Sequence, residues 1–300
     1  MSATLDGGPV AALLGGAPRI VAEGRAHPVE TRWLERPWGR PGDPPGRFAA
    51  AAAALTLAAL DGTEGGALVF LPGQAEIARV AARLAPALPE GVAVLPLHGG
   101  LPFARQRAAL EPPGEGPRRV VLATAIAETS LTIPDVRVVV DAGRARRSRF
   151  DPGSGMARLV TERATRAEAE QRRGRAGRVG PGWCFRMWTR GEEGAMEAQP
   201  PPEILRADLA GLALELALWG AGEAGGLPFL TPPPAAALAA ARTLLEALGA
   251  LDARGRITDH GRALARLPVH PRLGHMLAVA RRQGAGALGA ELAALLQARD

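Results

Sequence analysis

The chain has 300 residues, of which 47% are hydrophobic and 22% charged. That is the composition of a packed globular protein, and a prior of roughly 150 residues per domain gives it two domains and part of a third. Glycine (38) and proline (27) stay below the level of a low-complexity chain, and one cysteine excludes a disulfide scaffold. No apolar run approaches the roughly 18 residues of a membrane-spanning helix, and the N-terminus lacks a signal-peptide pattern, so a cytoplasmic location is expected. The net charge is +6, and all 36 basic residues are arginine. Asparagine and tyrosine are also missing, which reads as GC-rich codon usage. Arginine placement, not abundance, must therefore carry any case for phosphate binding. Without lysine the chain cannot contain a P-loop, GxxxxGK[ST].

Residues 28–34 read as an extended run. Residues 37–47 are too rich in proline and glycine for helix or strand and read as a linker. Alanine and leucine over 48–60 favour a helix. An alternation follows: strand 67–71, helix 74–84, strand 92–97, helix 103–110, strand 119–123 and strand 136–140. This pattern predicts an α/β fold with a parallel sheet covered by helices on both faces. Two arginine-rich arms within 141–160 flank a turn at 151–155 and predict a β-hairpin. A helix over 165–173 and a strand over 183–188 close the region.

The character changes after Pro200-Pro201-Pro202. Leu205, Leu209, Leu212 and Leu216 predict a helix over 203–219. A helix from the prolines 232–234, their rings in its first turn, runs to Leu248 with Gly249 as its cap. A hairpin signal at 252–255 and a helix over 261–267 complete the pattern of an α-rich winged-helix module. Helices over 272–282 and 285–299 follow.

The most specific run is Gln171-Arg172-Arg173-Gly174-Arg175-Ala176-Gly177-Arg178. In a helix, with Gln171 at zero, Arg175 falls near ~40° and Arg178 near ~−20°, while Arg172 and Arg173 point elsewhere. Two guanidinium forks beside a carboxamide suit a polyphosphate and phosphoryl transfer. A solvated basic face also fits the octet. Thr124-Ala125-Ile126-Ala127-Glu128-Thr129-Ser130-Leu131-Thr132-Ile133 follows a strand end, where open α/β sheets bind ligands; a polar turn with a helix cap fits equally. His98-Gly99-Gly100 follows another strand end, and its glycines admit a close backbone approach or simply make a turn. The five histidines lie far apart and one cysteine is present, so no metal site is expected. Cys184 reads as inert core.

Together these runs resemble the C-terminal half of DEAH-box nucleic-acid helicases, in particular the bacterial HrpB-type subfamily. Ser2-Ala3-Thr4 is similar to motif III, Phe70–Ile77 to motif IV, residues 124–133 to motif V and residues 171–178 to motif VI. Residues 96–106 resemble the loop that touches the RNA backbone. Pro202-Glu203-Ile204, Pro232-Pro233-Pro234, Leu248-Gly249-Ala250-Leu251 and Leu267-Pro268-Val269-His270-Pro271 resemble the winged helix and its exit. The resemblance implies a RecA-like sheet, a winged-helix domain and the start of a helical bundle. The expected boundaries are 1–36 for the tail of a first RecA-like domain, 37–196 for the second, 197–268 for the winged helix and 269–300 for the bundle.

The resemblance also assigns roles. Arg175 and Arg178 would be arginine fingers on the ATP γ-phosphate, with Gln171 on the same group, and Thr132 and Asp135 would lie near the ribose. His98, Gly99, Gly100, Thr124 and Thr129 would hold the backbone of single-stranded RNA or DNA. The hairpin 144–160 would act as a wedge or guide. Ala125 replaces a usual asparagine, Arg173 a usual alanine, and Leu110 an aromatic that stacks on adenine in some members. Asp135 stands one position late. The Mg²⁺ ligands, P-loop and Asp-Glu-x-His would lie on a first RecA-like domain supplied in cis or trans, with Met1 an internal methionine. The chain alone is expected not to hydrolyse ATP. A free-standing winged-helix nucleic-acid binder is the competing expectation.

Overall fold

The computed structural model describes residues 7–21, 26–39, 44–112, 116–128, 133–151, 155–221 and 226–297. Its elements in order are α1 (Gly7–Leu13), β1 (Val29–Trp33), α2 (Pro45–Leu60), β2 (Gly66–Phe70), α3 (Gln74–Leu84), β3 (Val92–Leu97), α4 (Phe103–Leu110), β4 (Arg118–Ala123), β5 (Val136–Asp141), β6 (Arg144–Asp151), β7 (Met156–Arg163), α5 (Arg166–Arg173), β8 (Gly182–Arg186), α6 (Arg190–Gly194), α7 (Ala210–Leu218), α8 (Ala235–Ala247), α9 (Asp259–Ala265), α10 (Pro271–Arg282) and α11 (Gly286–Gln297). The chain forms two compact units. One holds residues 19–147 and 159–200, the other 7–18, 148–158 and 201–300.

The first unit is built on a six-stranded sheet in the order β1-β8-β5-β2-β4-β3, every pair parallel. Side chains alternate across it, as a period of two demands. Val69, Val120, Leu122, Val138 and Val140 pack under α2 and α3. Leu68, Phe70, Val121, Ala123, Val139 and Cys184 face the other layer with Ala127, Ile133 and Ala176. The alanines of α2 let that helix lie close on the sheet, and Ala49, Ala52 and Ala59 are fully buried. Burial pushes the Cys184 thiol up to about 12, which keeps it a neutral thiol.

β1 corrects the expected boundary at residue 36. It is an edge strand of this sheet, paired with β8 from Val29–Gly182 to Trp33–Arg186. The linker is also shorter than expected, because Pro45-Gly46-Arg47 form the first turn of α2, where a proline loses no hydrogen bond.

α5 starts beside the carboxyl end of β5, where Ala164 N donates to Gly143 O. The segment after it reaches the amino ends of β1 and β8. There His27 N donates to Gly177 O (2.9 Å) and Gly182 N to Pro28 O (3.0 Å). Gly182 has no room for a side chain, because a Cβ would overlap the carbonyls of Ala176 and Arg137.

In the second unit, Leu209, Leu214, Leu216, Leu238, Leu245 and Leu264 form a core between α7, α8 and α9. The helix expected over 203–219 is broken into a 3-10 turn (Glu203–Leu205) and α7. The break follows from Asp208, whose carboxylate accepts from Ala210 N (2.7 Å) and so competes with a continuous helix. Prolines 232–234 precede α8 rather than filling its first turn, and Pro234 is the N-cap. The expected hairpin is reduced to one antiparallel bridge, Leu251–Ile257. Gly249 follows α8 at φ +69°, a region open to glycine. No helix among the described residues is long and apolar enough to cross a membrane.

Two outcomes follow from this packing. Gly182→Ala should destabilise the protein by about 1–3 kcal/mol in urea denaturation, because backbone rather than a flexible side chain must yield. Asp208 also accepts from His270 Nε2 (3.0 Å). Burial opposes its ionisation, but the hydrogen bonds from His270 and Ala210 outweigh it and hold the carboxyl below its ordinary 3.8. Its contribution is therefore present above 3.8 and is lost as pH falls through the lowered folded-state value. Thermal melts on either side of 3.8 should show a smaller acid-induced loss for Asp208→Asn.

Candidate functional site

His98, Gly99 and Gly100 follow the carboxyl end of β3, and Thr124 follows that of β4. Thr124 N donates to Leu97 O (3.2 Å), which ties the two loops together. The start of α3 joins them. A Cβ on Gly100 would overlap the Gln74 amide, and one on Gly73 would lie 2.6 Å from Arg146 Nη1. His98 Nδ1 and Glu76 Oε2 are buried with no hydrogen-bond partner among the described residues. Buried polar atoms of this kind usually have a partner. Gln74, Glu76 and Arg146 were not singled out from sequence, though Gln74 and Glu76 lie inside the run resembling motif IV. Thr129 and Thr132 lie outside the described residues.

The arginine octet departs from a single helix. α5 opens on a reciprocal cap, Thr165 Oγ1 accepting from Glu168 N and Glu168 from Thr165 N. It ends at Arg173. Arg175 N then donates to Arg172 O (3.0 Å) and Ala176 N to Arg173 O (3.1 Å), in turns tighter than an α-helix. The angular argument that placed Gln171, Arg175 and Arg178 on one helical face therefore stops at Arg173. Gln171 sits half-buried in the last turn, while Arg175 and Arg178 are carried by the turns that descend toward the amino ends of β1 and β8.

Arg172 turns into the protein. Its Nη1 donates to Asp141 Oδ1 (2.7 Å) and its Nε to Glu128 Oε1 (2.7 Å), with the guanidinium 5.3 Å from the Phe70 ring centre. Arg172 and Asp141 are buried. Burial opposes its charge, but the two carboxylates prevail and hold the proton more firmly than in a free arginine. Sequence reasoning missed this residue as a determinant. The available signal was an arginine on the inward side of an otherwise polar run.

Arg175 is also buried and donates from Nη2 to the Glu128 carbonyl. Burial, reinforced by the neighbouring charge of Arg178, pushes its pKa down to about 10, so it stays charged at neutral pH. Arg178 is exposed. Arg175 thus lies beside the main chain that leaves β4, with the charge of Arg178 near enough to act on it. Both arginines are carried by the segment after α5, whereas His98 and Thr124 sit in the loops at the carboxyl ends of β3 and β4.

Asp135 joins neither group. It precedes β5 at the amino end of the sheet, bonded to the Arg119 guanidinium, and its carbonyl accepts from Gly66 N (2.7 Å). This placement accounts for the carboxylate as the partner of a buried arginine. Among the described residues no group of three His, Cys, Asp or Glu could hold a metal ion.

Residues 50–180 match the helicase conserved C-terminal domain, and residues 241–269 match the winged-helix helicase-associated domain. The ATP-dependent RNA helicase HrpB of Escherichia coli is 42% identical over 297 residues, 99% of this chain and 36% of that protein. The chain belongs to the DEAH-box helicase family. Two crystal structures of E. coli HrpB, one described as a DExH-box NTPase and the other as a DEAH/RHA helicase, cover 100% of it at 41% identity, with TM-scores of 0.86 and 0.90. The splicing factor and ATP-dependent RNA helicase prp22 of Schizosaccharomyces pombe is 38% identical over 286 residues, 92% of this chain and 24% of that protein. The chain therefore carries the RecA-like C-terminal helicase fold, a winged-helix region and further helices. It spans just over a third of the length of HrpB.

Replacing Arg172 by leucine would strand the buried Asp141 carboxylate. The expected loss is about 3–5 kcal/mol of stability, read from the denaturant midpoint at unchanged slope.

Proposed function

We propose that the chain is the second RecA-like lobe and winged-helix region of an ATP-dependent RNA helicase. In this reading Arg175 and Arg178, with Gln171 beside them, meet the γ-phosphate of ATP presented by a lobe that carries the P-loop, the Asp-Glu-x-His and the Mg²⁺ ligands. The observation that carries it is Arg175, held at the Glu128 carbonyl with the charge of Arg178 close enough to act on it. Bound ATP supplies the phosphoanhydride bond whose cleavage drives the cycle. The two guanidiniums offset negative charge that builds on the transferred phosphoryl group, and Arg175 comes already oriented by its bond to the Glu128 carbonyl.

His98, Gly99, Gly100 and Thr124, together with Thr129, contact the nucleic-acid backbone. The buried, unpartnered His98 Nδ1 and the open space beside Gly99 support this reading, because they leave room for close approach to the main chain. RNA is favoured over DNA because HrpB and prp22 are both named as RNA helicases. Leu110 stands where some relatives place a stacking aromatic, so adenine stacking is not part of the proposal. The 300 residues contain no lysine, so phosphate release from ATP is expected only with the P-loop lobe.

The test is an enzyme joining this chain to that lobe. Arg175→Ala and Arg178→Ala should each lower RNA-stimulated ATP turnover about a thousandfold or more, with RNA affinity changed little in a nucleotide-free filter assay. Equal loss of turnover and RNA binding would refute the division of labour. Robust turnover by the 300 residues alone would refute the need for a second lobe.

A further inference from the structure

The second unit carries a groove of about 580 Å³ that none of the roles above uses. One wall is the end of α7, Ala217 to Gly220. The other is the turn Asp252–Ile257 with Arg262 of α9. Trp219 is 74% exposed at its rim, a large aromatic surface left in water. Single exposed apolar side chains are ordinary. The surroundings make this one different.

Asp252 organises the turn. Its Oδ1 accepts from the amides of Arg254 (2.9 Å) and Arg256 (2.9 Å), and its Oδ2 from Arg256 Nε (2.9 Å). The acid is consumed by this task, and its pKa is lowered chiefly by the Arg256 amide. Gly255 at φ +72° lets the chain reverse between the two arginines. Arg254 and Arg262 have no carboxylate partner among the described residues, and both are exposed. The groove thus has three arginines against one committed aspartate, with an indole at its edge.

We infer that this groove binds single-stranded nucleic acid, with a base stacked on Trp219 and the flanking phosphates on Arg254 and Arg262. A π-face beside fixed cations matches how single strands are held without sequence preference. Bases stack on an exposed indole because every base offers a π-face, while phosphates release counterions when guanidiniums replace them. The inference concerns a contact separate from the His98 and Thr124 loops, and it stands whether or not the arginine-finger reading does.

The test uses the full 300-residue chain and a short fluorescently silent oligouridylate. Binding should quench part of the tryptophan emission. Trp219→Phe should abolish that part with affinity nearly kept, and Trp219→Ala should weaken binding about tenfold or more. Arg254→Ala with Arg262→Ala should flatten the plot of log affinity against log salt by about 0.7 for each phosphate left without its guanidinium. Substitutions in the His98 loop serve as the control. They should lower affinity but leave the Trp219 quench in the bound fraction, so failure of that site and of this one are distinct. A quench unchanged in Trp219→Phe would overturn the inference, as would parental affinity in Trp219→Ala. So would an indole that acrylamide cannot reach in the joined enzyme without RNA, because protein would then fill the groove.

Discussion

The candidate site depends on Arg172. It is a charge taken wholly out of water, a cost that only close, well-formed partners can offset. Asp141 at the end of β5 and Glu128 after β4 supply them, and Phe70 of β2 lies against the guanidinium. Three strands are thereby fixed to the last turn of α5. Asp141 also accepts from Gly143 N (2.8 Å), so the same carboxylate fixes the bend that leads into β6. The arginine stabilises one arrangement of these elements because any other leaves a bare ion in the core.

That constraint explains how two chemically different groups of residues share a single small domain. Only a 3-10 turn, Ala125–Ala127, separates Thr124 at the strand end from Glu128. Glu128 gives its carboxylate to Arg172 and its carbonyl to Arg175. The main chain leaving β4 therefore belongs to the strand-end loops at one end and to Arg172 and Arg175 at the other. Rigid packing on both sides of the sheet leaves little slack between them.

Much of this was legible in the sequence, and the exceptions share a cause. α3, β3 and α4 fall on the residues expected, because apolar periodicity and flanking glycine or proline are local signals. The parallel sheet followed from the same signals. The membership of β1 did not, since its partner β8 lies far along the sequence and only the folded chain brings Val29 to Gly182. The helical wheel failed beyond Arg173 because the tightened turns there are set by Gly177 and Gly182 meeting the amino ends of the strands. The charge partners of Asp135 and Arg172 were not legible for one reason. Spacing tells which direction a side chain leaves the backbone, not which opposite charge waits there. Motif order identified the family without resolving either pairing.

Cys184 has a use that follows from its place in the sheet. It lies on β8, between β1 and β5, wholly buried and held as a neutral thiol. A thiol reagent can reach it only when that strand is uncovered. As the chain's single sulfhydryl, it is a built-in clock: its labelling rate reports how often the centre of the domain opens, with no engineered probe.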